Sequence, residues 1–160
     1  MALEFSPEKK KEVEWTLTRY PNKQAAMLPV LHIAQYQFGC ISPEVMELVA
    51  KTLDLPVSRV QDVVTFYTMF HEKPVGKFHI QVCHTLSCAI RGGSQVVDYL
   101  ENKCGVKCND GISKDGKFSI TKVECLGSCG TAPMMQVNDD YFENLTKERI
   151  DQLVNKWKSE

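Results

Sequence analysis

The chain has 160 residues, a formal net charge of -1 and a hydrophobic fraction of 43%, so it can bury a core without covalent staples, and its charge gives no reason to expect nucleic acid or an anionic membrane as a partner. No apolar run approaches the roughly 18 residues that mark a membrane helix, and the N-terminus lacks the apolar core and cleavage site of a leader; the expectation is a soluble protein that is not secreted. In a reducing compartment its seven cysteines are more often metal ligands or redox groups than structural disulfides.

Ser6-Pro7 and Ser42-Pro43 each place an N-cap before a proline at the first helical position, which predicts two helix starts. Between them, Lys23 to Phe38 is mostly apolar and is closed by Gly39, a second helix that Pro29 either kinks or begins. A further helix is expected from Pro56, with Val57, Val60, Val63, Val64 and Tyr67 on one face. Residues 1–74 thus read as an N-terminal helical bundle. The domain boundary falls at Pro74-Val75-Gly76-Lys77, where helical spacing gives way to alternation.

Phe78, Ile80 and Val82 alternate with polar residues up to Cys83, the signature of a strand ending at a cysteine. Ser94 to Lys103 carries Val96, Val97 and Leu100 at helical spacing, with Gly105 as the stop. Phe118 to Glu124 alternates again and ends at Cys125; Met134 to Val137 is a shorter strand before a turn at Asn138-Asp139-Asp140. Thr146 then caps a helix with the apolar stripe Ile150, Leu153, Val154 and Trp157. The order strand, helix, strand, strand, helix suits a small thioredoxin-like α/β sandwich with a mixed sheet over residues 75–160.

Cys83 and Cys88 form a C-x4-C pair and Cys125 and Cys129 a C-x3-C pair. Four thiolates are what a 2Fe-2S cluster requires, and C-x4-C begins the ligand set of plant-type ferredoxins. Structural zinc more often uses C-x2-C knuckles. Both pairs begin where an inferred strand stops, and Gly92, Gly93, Gly127 and Gly130 beside them permit tight backbone paths with N–H groups aimed at sulfur. Pro133 fixes the exit from the second loop.

Cys104 and Cys108 are the competing ligand pair, but they follow a helix rather than a strand and read as free thiols or a local disulfide. Cys40 reads as a buried small hydrophobe. His84 beside Cys83 raises a Rieske-type site, which needs a second histidine that is absent near Cys125 and Cys129. His32, His71 and His79 fit ordinary polar or packing roles.

Thr65-Phe66-Tyr67-Thr68-Met69-Phe70, then Lys73-Pro74-Val75-Gly76-Lys77, then the two cysteine pairs with Glu124-Cys125-Leu126-Gly127-Ser128-Cys129-Gly130-Thr131-Ala132-Pro133 carry a family resemblance. The chain resembles, from about Tyr20 to the last helix, the E-type small subunit family of NADH:quinone oxidoreductase, respiratory complex I. That resemblance implies a helical N-terminal region, a thioredoxin-like 2Fe-2S ferredoxin domain, and one cluster on Cys83, Cys88, Cys125 and Cys129. It implies docking on a flavoprotein of the F type that binds FMN and NADH, with the large iron–sulfur protein of the G type as a second partner, in a peripheral arm on the cytoplasmic side of the inner membrane.

The sequence contains no Gly-x-Gly-x-x-Gly after a strand, no phosphate loop and no nucleophile–base pair, so the chain is expected to be inactive alone, with hydride chemistry on the partner's flavin and single electrons on this subunit. The same module also resembles the small subunits of NAD-linked hydrogenases and formate dehydrogenases. A zinc-stabilised scaffold and a thiol oxidoreductase are the rivals from other classes; the latter wants a C-x-x-C that the sequence lacks. The aromatic run Phe66 to Phe70 reads as core, with partner surface as the alternative.

Overall fold

The computed structural model describes residues 3–160. The chain divides into two compact units, the first ending at Pro74 and the second running Val75–Glu160. Among the described residues no helix is long and apolar enough to cross a membrane.

Among the described residues the first unit holds four α-helices around an apolar core. Helix α1 (Pro7–Leu17) and helix α3 (Pro43–Leu53) start as their Ser-Pro signals predict: the Ser6 and Ser42 hydroxyls accept from the N–H groups of Lys9 and Val45. Helix α2 is Met27–Phe38, preceded by a 3-10 turn at Gln24–Ala26 and closed by left-handed Gly39 at φ 80°. Pro29 lies in its first turn, where a missing N–H costs no hydrogen bond.

Helix α4 (Val57–Phe66) buries Val60 and Val64. Val57 and Tyr67, expected on the same face, are exposed, because Val57 opens the helix and Tyr67 leaves it in an extended conformation. The aromatic run divides likewise: Phe70 is buried, whereas Phe66 is 77% exposed and Tyr67 and Met69 are exposed too.

The second unit is a four-stranded mixed sheet in the order β2-β1-β3-β4. Strands β1 (Phe78–Cys83) and β2 (Phe118–Val123) run parallel from Phe78 opposite Phe118 to Cys83 opposite Val123; β3 (Met135–Val137) pairs antiparallel with β1, and β4 (Asp140–Phe142) antiparallel with β3. Asp140, expected in the turn, opens β4 instead, after a tight reversal in which Asn138 adopts φ 53°.

A five-residue helix α5 (Leu86–Ile90), which the pattern did not reveal, follows β1. Helix α6 (Gly93–Cys104) and helix α7 (Lys147–Ser159) then pack with the sheet around Phe78, Ile80, Val82, Leu100, Phe118, Ile120 and Trp157. Trp157 stacks on Phe78 and meets Phe142 edge-on, both at 5.4 Å between centroids.

Strand β1 is buried along its whole length, not on alternate residues. His79 Nδ1 lies 2.7 Å from Ser119 Oγ, and the Gly76 N–H donates to the same hydroxyl at 3.0 Å, so polar groups on that side are satisfied inside the fold. Gly76 is required there: a Cβ would sit 2.6 Å from the Phe118 carbonyl carbon.

Candidate metal centre

The two parallel strands deliver the cysteines to one end of the sheet. Cys83 is the last residue of β1, and Cys125 follows the end of β2 by two residues. Cys88 lies on α5 and Cys129 opens a 3-10 turn, Cys129–Thr131. Cys83 and Cys88 are each only 2% exposed and pack with Ala132, Met134 and Leu126. Cys125 and Cys129 are exposed. The site therefore has a dry half and an accessible half.

The four thiols lie close enough to sense one another: Cys83 acts electrostatically on Cys88, Cys125 and Cys129. Cys125 Sγ and Cys129 Sγ are 3.6 Å apart, near the edge of about 3.8 Å of a tetrahedron of thiolates at about 2.3 Å from a metal. All four cysteines are free thiols. Among the described residues no three or more His, Cys, Asp or Glu side chains converge in the way a single ion needs.

Backbone and hydroxyl donors surround the sulfurs. The Gly127 N–H donates to Cys125 Sγ at 3.4 Å from a left-handed turn at φ 82°. Thr85 Oγ1 is 3.3 Å from Cys83 Sγ and also hydrogen-bonds Cys125, while Ser87 reaches Cys129. Both hydroxyls come from the first cysteine loop and two of their contacts reach the second. The Arg91 Nε–H donates to the Ala132 carbonyl at 2.8 Å and ties the same two loops.

The acidities divide within each pair. Burial raises the Cys83 thiol, but hydrogen bonds from Thr85 and the Leu126 N–H leave it below its ordinary value; burial and the neighbouring Cys83 push Cys88 up. The Gly127 N–H, then Cys129, lower Cys125, and the hydrogen bond with Cys125 raises Cys129. One thiol of each pair is thus made the more acidic of the two. Four thiols in two such pairs, with N–H and O–H donors toward sulfur, fit a two-iron centre.

The flanking glycines do different work. At Gly93 a Cβ would stand 2.9 Å from the Cys88 carbonyl oxygen and 3.2 Å from that of Cys83, so the first loop closes over a position without a side chain. Gly92 supplies φ 96° just before it. The Gly127 N–H points at sulfur, and nothing crowds Gly130.

The other candidates lie elsewhere. Cys104 is buried in the α6–sheet core, and burial pushes its thiol up to about 11; burial also raises half-buried Cys108. Cys40 is half-buried rather than buried. His84 Nε2 faces Glu124 Oε1 at 3.4 Å, which turns the imidazole toward a carboxylate.

A clasp on the second loop had no local sequence signal. The Tyr141 hydroxyl donates to the Leu126 carbonyl at 3.0 Å, and Asn144 and Leu145 N–H groups donate to the Thr131 and Pro133 carbonyls at 2.8 and 3.0 Å. Ser128 Oγ and Thr131 Oγ1, the latter at 2.8 Å, both donate to Glu143 Oε1. These bonds, Ser128's first, hold the Glu143 carboxyl below the usual range.

Residues 13–158 match the family model described as thioredoxin-like [2Fe-2S] ferredoxin. The chain is 44% identical over 147 residues to the E-type NADH-quinone oxidoreductase subunit of Rickettsia bellii (strain RML369-C), covering 90% of this chain and 87% of that one. It is 39% identical over 150 residues to the second E-type NADH-quinone oxidoreductase subunit of Rhizobium meliloti (strain 1021), covering 94% and 89%. A solved structure of NAD+-reducing [NiFe]-hydrogenase in the H2-reduced state superposes with a TM-score of 0.71 at 18% identity, over 84% of this chain and 22% of that one; at that identity the likeness concerns the fold.

Proposed function

Because the chain belongs to the thioredoxin-like [2Fe-2S] ferredoxin family, we propose that it is the electron-transfer subunit, of the E type, of an NADH:quinone oxidoreductase, and that Cys83, Cys88, Cys125 and Cys129 hold its single cluster. The convergence of these four thiols at one end of the sheet carries the assignment of the site. The E-type names of relatives 39–44% identical over most of their length support the assignment of the complex. When bound, the cluster supplies one-electron transfer at low potential, of order -400 mV for plant-type centres.

The chain's own residues hold, shield and orient. Cys83 and Cys88 anchor the buried side, where water is excluded, and Cys125 and Cys129 present the accessible side toward a redox partner. Gly127 N–H and the Thr85 hydroxyl, donating to sulfur, stabilise negative charge there. Hydride transfer belongs to an F-type flavoprotein carrying FMN and NADH, since this chain has no dinucleotide fingerprint. The N-terminal helical bundle, residues 1–74, and the cluster domain, residues 75–160, are separate domains. The G-type iron–sulfur protein is the second partner, and the whole lies in the peripheral arm on the cytoplasmic side of the inner membrane.

One second reading shares this fold: the corresponding small subunit of an NAD-linked hydrogenase, a chain of which superposes on this one, or of a formate dehydrogenase. Purifying the complex through a tag on this chain separates the two. An FMN flavoprotein with a quinone-reducing membrane arm supports the first reading; a nickel or molybdenum protein in the complex overturns it. Iron with equimolar acid-labile sulfide supports the cluster, and colourless protein containing zinc overturns it.

A further inference from the structure

The clasp formed by residues 141–145 grips the backbone between Cys125 and Pro133, and most of its contacts come from ordinary main-chain or hydroxyl groups. Glu143 is the exception. It places a carboxylate on the Ser128 and Thr131 hydroxyls, one residue before and two residues after Cys129. Ser128 Oγ and Thr131 Oγ1 are themselves 2.6 Å apart, and Thr131 Oγ1 also reaches the Ser128 carbonyl at 3.1 Å. The carboxylate therefore accepts a hydrogen bond from each hydroxyl and draws the two together on the loop that carries the exposed thiols.

A fixed negative charge hydrogen-bonded to the residue before Cys129 disfavours the reduced state of a centre held on that loop, because the added electron meets the carboxylate's field. We propose that Glu143 is a positioning residue for the Cys125–Cys129 loop and that its charge keeps the reduction potential of the centre low. The inference rests on the four-cysteine cluster reading. The reaction concerned is a one-electron reduction with no bond made or broken in the protein. In a titration the electron comes from dithionite.

The test uses the full-length chain with its cluster reconstituted, compared with Glu143→Gln, Glu143→Ala and Tyr141→Phe. The readouts are iron and sulfide content, the anaerobic midpoint potential, and the rate at which a chelator removes iron. Gln keeps an oxygen acceptor for Ser128 and Thr131 but no charge. It is expected to retain wild-type iron content while shifting the reduction equilibrium about tenfold toward the reduced form, about 59 mV for a one-electron couple. Ala is expected to show the same positive shift together with faster iron loss. Tyr141→Phe removes a contact of the clasp without changing charge, so it should speed iron loss and leave the potential alone. A Glu143→Gln protein with full iron and an unchanged potential overturns the electrostatic role while the cluster reading stands. A wild-type chain that holds no iron overturns both.

Discussion

Cys83 and Val123 are register partners across the parallel β1–β2 pair. Parallel neighbours leave the sheet at the same end. The residue at the end of β1 and the one two positions beyond β2 therefore enter one site although 41 residues separate them in sequence, and α5 and the 3-10 turn return Cys88 and Cys129 to it. Replacement of any one of Cys83, Cys88, Cys125 and Cys129 by Ser should remove most of the iron, acid-labile sulfide and visible absorption. Ser at Cys104 or Cys108 should leave all three in place. A Cys125→Ser protein with an undiminished spectrum would move the second ligand pair elsewhere.

Gly93 and Gly130 provide a matched pair for the first loop's close packing. A methyl group at Gly93 meets two carbonyl oxygens of the cysteine loop at 2.9 and 3.2 Å, while one at Gly130 meets nothing within 4 Å. Gly93→Ala is expected to destabilise the apo chain by about 1–3 kcal/mol, as overpacking does, and to lower cluster occupancy. Gly130→Ala should stay within about 0.5 kcal/mol of wild type. Urea unfolding of the two variants measures both, and equal midpoints would refute the packing role.

The strand ends were legible because Phe78, Ile80 and Val82, and again Phe118 and Ile120, alternate up to a cysteine, and hydrophobic period 2 is a local signal. The Ser-Pro caps and Gly39 were legible for the same reason: each acts within one turn of its own residue. Helix α5 was not, since five residues are too few to show a helical period, and its Leu86 and Ile90 face solvent at 75% and 77% exposure. Strand β4 carries Asp140 in a turn-like run, and only its pairing with β3 makes it a strand. Glu143 lies 15 residues from Ser128, so its role exists only after the chain has folded.

Titration of the helical unit should report His71. Burial lowers its pKa from the ordinary 6.5, while its backbone N–H donates to Gln35 Oε1 and its carbonyl accepts from the Ile41 N–H, at 2.7 Å each. A histidine whose folded value is depressed takes up its proton more readily when unfolded, so stability is full above the unfolded value and falls as pH drops through 6.5 toward the folded value. The wild-type unfolding midpoint should therefore fall more between about pH 7.5 and about pH 5.5 than that of His71→Gln, which has no proton to gain. Equal losses in the two proteins would show that His71 does not contribute.

Thiol alkylation separates the roles of the cysteines without any substitution. Cys104 is buried with its thiol pushed up to about 11 from an ordinary 9.0, so near pH 8 its thiolate fraction is about a hundredfold below that of an ordinary cysteine, and access slows it further. Cys125 and Cys129 stand exposed. In apo protein, brief iodoacetamide treatment followed by peptide mass mapping should label Cys125 and Cys129 first, Cys83 and Cys88 later, and Cys104 only after denaturation. Reconstitution with iron and sulfide should protect the first four as a group and leave Cys108 and Cys40 unchanged, because ligation consumes the thiolate while burial of the other cysteines is indifferent to it. Protection confined to one pair would mean that the metal is held by two cysteines with ligands from elsewhere, and labelling of Cys104 at the rate of Cys125 would mean that the α6–sheet core opens in solution.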